Sequence, residues 1–119
     1  MEYKRQNALV TGLSNGIGSA TAIALAREGY HVGLTYRSKA SYERCLEVYS
    51  ECRQYGGDIQ MYQVELSERD AAERLICQFL EHYGTIDVLA NNAGGALKIP
   101  KGEFDEMPLD YWEEQIALN

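Results

Sequence analysis

The chain has 119 residues, 45% of them apolar and 24% charged, with a formal net charge of −7. That is the size and balance of one globular domain, able to bury roughly two-thirds of the surface its unfolded chain exposes. The acidic balance and scattered basic residues argue against a general affinity for nucleic acid or an anionic membrane. No apolar run nears the roughly 20 residues that span a bilayer, and the opening MEYKRQNALVTG lacks the apolar core of a signal peptide.

Short apolar runs alternate with helical patterns along the chain. NALVT at 7–11 reads as a buried strand. Residues 16–28 read as a helix, with Gly29 where a helix end wants a positive φ. HVGLTY at 31–36 is a second strand. A second helix runs from about Ser41, with Tyr42, Cys45, Leu46, Tyr49 and Cys52 at helical spacing, and Gly56-Gly57 stops it. The third strand lies within DIQMYQVEL at 58–66. A third helix opens with Ser67 as the expected N-cap and Asp70 three residues on. Its buried stripe is Ala72, Leu75, Ile76, Phe79, Leu80 and Tyr83, and Gly84 ends it. IDVLAN at 86–91 is a fourth strand, a looser stretch runs from Gly94 to Pro108, and a last helix begins near Leu109. Strands alternating with helices imply an α/β fold: a doubly wound parallel sheet, right-handed crossovers and helices on both faces, within a single unit over 1–119.

The three cysteines, Cys45, Cys52 and Cys77, are odd in number and show no C-x-x-C spacing. They read as reduced thiols of a cytoplasmic protein, and with His31 and His82 they form no metal-ligand pattern.

The stretch TGLSNGIG at 11–18 puts three glycines at the first strand-to-helix turn. Such a turn can be a bare glycine-rich loop. It is also where a dinucleotide fold seats its phosphates. In that reading Gly12 permits the tight turn, Gly16 lets the backbone approach a pyrophosphate, and Gly18 lets the helix pack on the strand. The helix N-terminus would then face the phosphates. The G-x-x-x-G-x-G spacing differs from the more frequent G-x-G-x-x-G.

TGLSNGIG, together with NNAG at 91–94 directly after the fourth strand, resembles the two signatures of the short-chain dehydrogenase/reductase family. The similarity runs from about Asn7 to Asn119. It is nearest to the N-terminal half of the classical branch, and to 3-oxoacyl-(acyl-carrier-protein) reductase-like members. The resemblance implies a Rossmann-type fold, cut after the fourth strand and the start of the next helix. It implies a phosphate loop of Gly12, Ser14, Asn15, Gly16, Ile17 and Gly18. Asn92, Ala93 and Gly94 would line the nicotinamide-ribose side and brace the sheet. Glu65 and Leu66 fall where the family commonly has Asp-Val beside the adenine. At the end of the second strand, Arg37 can meet a 2′-phosphate with charge-assisted bonds and Ser38 can add a donor, so the expected cofactor is NADP rather than NAD. The other reading makes Arg37 a solvated residue opening the next helix.

Hydride transfer in this family needs a Ser and a Tyr-x-x-x-Lys pair. None of the nine tyrosines has a lysine four residues on. The resemblance implies a fold roughly twice this long, with those groups after the next two strands. Asn119, seven after Trp112, falls at the family's catalytic Asn position. Two readings follow. One is the cofactor-binding portion of an NADP-dependent oxidoreductase acting on a small carbonyl or alcohol, inactive as an isolated chain. The other is a naturally short, non-catalytic nucleotide-binding or interaction module; a split enzyme completed by a second polypeptide is a third variant. Either way the fourth strand is expected to be an exposed apolar edge, so that chains self-associate through it or the chain is part of something larger. Lys98 and Lys101 read as solvated, and the substrate is not legible.

Overall fold

A computed structural model describes residues 4–13 and 16–93. Seven elements follow one another: β1 (Asn7–Thr11), α1 (Gly16–Arg27), β2 (His31–Tyr36), α2 (Lys39–Arg53), β3 (Ile59–Gln63), α3 (Ala71–Tyr83) and β4 (Val88–Asn91). The strands form one parallel sheet in the order β3-β2-β1-β4, so the α/β fold with helices on both faces is as expected. β1 is central because all five of its residues are buried. A strand covered on both faces is mostly apolar, here Ala8, Leu9 and Val10, and the buried Asn7 and Thr11 at its ends have hydrogen-bond partners.

The two faces have separate cores. Val10, Val32, Leu34 and Ile59 meet Ala22 and Ala26 of α1 and Cys45, Val48 and Cys52 of α2. On the other face Leu9 packs with Leu75 and Phe79 of α3. The Phe79 ring lies against Gly33 of β2, where a Cβ would come within 2.7 Å of it. Small residues on α1 let it approach both the sheet and α2.

Several expectations are corrected. Helix α2 starts at Lys39, capped at Ser38, two residues before Ser41. Its buried stripe is Cys45, Val48 and Cys52, while Tyr42 and Leu46 are 40% and 37% exposed. Helix α3 begins after Asp70, which holds a left-handed φ of 63°, and not after Ser67. Ser67 is unsuited to cap it because its N–H and hydroxyl donate to Glu65. Its stripe is therefore Ala71, Leu75 and Phe79, with Ala72 and Leu80 exposed. β4 begins at Val88, since Asp87 caps the edge by accepting the Asn7 N–H (2.7 Å). The loop at 94–108 and the helix near Leu109 lie outside the described residues.

At the N-terminal edge of the sheet, α3 is strapped to the start of β3. His82 Nε2 lies 2.5 Å from Asp58 Oδ2, and the Tyr83 hydroxyl donates to the carbonyls of Asp58 and Val32. The Asp58 N–H donates to His31 Nδ1 (2.8 Å). Among the described residues, no helix is long and apolar enough to cross a membrane.

Candidate dinucleotide site

The C-terminal ends of the four strands gather one residue set. β3 lies on one side of β1 beyond β2, and the chain then crosses to put β4 on the other side. The order reverses between β1 and β4, the place where open parallel sheets bind their ligands.

The turn at that point is built from three strand ends. Gly12 leaves β1 with φ 79°, a conformation glycine adopts without strain. Its N–H donates to Thr35 Oγ1 of β2 (3.1 Å), and its carbonyl accepts from Asn92 Nδ2 beyond β4 (2.8 Å). Thr11 Oγ1 accepts the N–H groups of Asn92 and Ala93 at 3.1 and 3.0 Å. A Cβ on Gly12 would sit 2.7 Å from the Ala93 Cα, so β1 and the segment after β4 touch backbone to backbone. A Cβ on Gly18 would overlap the Gly12 carbonyl, which brings the first turn of α1 directly over the end of β1.

Gly16 opens α1 with nothing within 4 Å of its Cβ direction, and no acidic residue occupies the helix's first turn. Open space before a helix N-terminus without a competing carboxylate suits a pyrophosphate. Ile17 beside it is 72% exposed. Ser14, Asn15, Gly94 and Asn119 lie outside the described residues.

From Gly12 a cleft open to solvent runs across the end of β2 to the end of β3. Leu13, Thr35, Tyr36, Arg37, Ser41 and Val64 to Leu66 border it, and Ala93 closes it beside Gly12. Arg37, Glu65 and Leu66 thus face one space with Gly12 and Ala93. Ser38 does not border it: it caps α2, and its N–H donates to Ser41 Oγ at 3.0 Å.

Arg37 Nε donates to Glu65 Oε2 across the cleft. The other carboxylate oxygen accepts from the Ser67 hydroxyl (2.8 Å) and N–H (3.2 Å). Burial works to raise the Glu65 pKa, but the Ser67 bonds and then Arg37 outweigh it, and the carboxyl sits below its ordinary value.

Sequence reasoning did not pick out Thr35 or Ser41. Thr35 is buried on β2 and fixes the Gly12 amide; Ser41 Oγ accepts the N–H of Arg37 (3.2 Å) as well as that of Ser38. A hydroxyl two residues before Arg37 and another four after it are the only signals they leave.

Strand order and glycine turn are those of a Rossmann-type parallel sheet. A model of the short chain dehydrogenase family matches residues 6–119, and the chain belongs to that family. It is 38% identical over 89 residues to the 3-oxoacyl-(acyl-carrier-protein) reductase FabG of Staphylococcus aureus, which covers 75% of this chain and 35% of the relative. Among solved structures it superposes on an NADH-dependent reductase complexed with NAD (TM-score 0.82, 31% identity, 97% of this chain and 46% of that one). A protein from Burkholderia cenocepacia described as a dehydrogenase, with bound NADP, superposes with TM-score 0.86 at 28% identity, over 97% of this chain and 43% of that one. The chain spans about two fifths of the length of the curated relatives it matches.

Proposed function

We propose that residues 1–119 form a single cofactor-binding unit of an oxidoreductase, and that the cofactor is NADP. The observation that carries this reading is the Gly12 turn, held between β1 and β4 where the strand order reverses, with Arg37 on the same cleft. The pyrophosphate would lie over the open face of Gly16, held by Gly12, Ser14, Asn15, Ile17 and Gly18. Asn92, Ala93 and Gly94 would flank the nicotinamide ribose, and Leu66 and Glu65 the adenine side. Arg37 would meet the 2′-phosphate, with the hydroxyl of Ser38, the residue next to it at the helix cap, as an added donor.

The nicotinamide supplies hydride to a carbonyl or takes it from an alcohol. No Tyr-x-x-x-Lys pair occurs in the 119 residues, so this chain is expected to bind the cofactor without turning it over, with Asn119 holding the family's Asn position. Fluorescence titration of the purified chain with NADPH and NADH tests the reading. Saturable NADPH binding several-fold tighter than NADH is expected; a preference of twofold or less would sink the NADP assignment.

A further inference from the structure

We propose that Glu65 is a specificity-determining residue of this site, which masks Arg37 and so blunts its preference for a 2′-phosphate; this rests on the dinucleotide reading above. Arg37 and Glu65 are the charged residues among those lining the cleft, and they are paired with each other. The pair is asymmetric. The Glu65 side chain is 23% exposed and its second oxygen is anchored by both the hydroxyl and the N–H of Ser67. The Arg37 side chain is 58% exposed, and Glu65 is the partner of its guanidinium. The carboxylate is thus the fixed member and the guanidinium the movable one.

A 2′-phosphate that recruits Arg37 therefore meets a cation already neutralised, with an anchored carboxylate left close by. Two anions must share one guanidinium, or the phosphate must draw it away and leave Glu65 unpaired. An unphosphorylated ribose brings no second anion, so the Arg37–Glu65 pair stays intact. Glu65 thus weakens NADP relative to NAD at the position where Arg37 strengthens it. The cofactor preference of the chain is the difference between two opposed residues, 28 positions apart in sequence.

The experiment is a double-mutant cycle read by NADPH and NADH fluorescence titration of wild type, Glu65→Gln, Arg37→Ala and the double variant. Glutamine keeps the length and an oxygen to accept from Ser67 while removing the charge. Glu65→Gln should tighten NADPH by about fivefold, the lower end of typical coupling between sites, with NADH unchanged or weaker. Arg37→Ala should lose more NADPH affinity in the Gln background than in wild type, because the arginine is then unmasked. A NADPH/NADH ratio within twofold of wild type overturns the inference while leaving the cofactor reading in place. So does a selective loss of NADPH affinity, which would mean that Glu65 aims Arg37 at the phosphate. A wild-type chain that binds neither dinucleotide overturns the cofactor reading and the inference with it.

Discussion

Asn92 ties the glycine turn to the far strand, its Nδ2 donating to the Gly12 carbonyl. The bond is part-buried, and its loss leaves an acceptor without its side-chain donor at the most crowded point of the site. Asn92→Ala should therefore lower stability by about 1 kcal/mol, read by urea denaturation, and should weaken NADPH binding beyond what stability explains. Thr11 keeps the backbone of residues 92 and 93 in place, so the variant should remain folded. Buried thiols give no comparable handle. Burial pushes the pKa of Cys45 up to about 12 and that of Cys52 to about 11, which makes them inert packing groups of the α1–α2 face.

Helix α3 is held at two ends by different means: Ala71, Leu75 and Phe79 pack its stripe, and His82 and Tyr83 fasten its last turn. Burial works to raise the Asp58 pKa, but hydrogen bonds from His82 and Gln60 prevail and hold it below the ordinary carboxylate value of 3.8. A carboxyl lowered by folding adds stability that is fully present above its unfolded pKa and is lost as the pH falls through the folded one. Asp58→Asn should thus reduce stability by only about 0.5 kcal/mol at neutral pH, since both partners are half-exposed. The difference from wild type should vanish as the pH is taken below the carboxylate range, as measured by denaturation at a series of pH values. At this scale the sequence was legible where burial dictates composition. β1 and β2 are largely apolar runs and fall where expected, whereas Ser67, the expected cap of α3, and Asp70, the observed one, are both polar residues of the right type. Ser67 and Asp70 are distinguished only by Glu65, whose carboxylate claims Ser67. The same blindness hid the Arg37–Glu65 pair: each residue was legible as a site candidate, but their contact is a product of β2 and β3 lying side by side.

The sheet of the described residues has β4 at one edge, with Leu89 45% exposed on it. An apolar edge strand is a template for pairing with another chain. We expect the chain to self-associate through β4 and Leu89→Lys to reduce that association. Sedimentation velocity over a range of concentrations checks both; a wild-type chain that stays monomeric throughout removes the proposal. The overall topology was readable from the alternation of strands and helices, and the two glycine-containing motifs pointed to the strand ends that meet at Gly12. The neutralisation of the site's cation was not readable, because charge composition does not reveal which charges meet.

The Asn92 bond that shapes the glycine turn spans 80 positions. During synthesis β1 and the turn emerge early, yet the carbonyl of Gly12 has no Asn92 to meet until the crossover through α2, β3 and α3 has been made. Parallel pairing of β1 with β4 requires closing that long loop, and such closures are slow. The turn should therefore take its final form only once β4 has been made, and a nascent chain stalled before residue 88 should carry the Gly12 turn without the clamp that sets it.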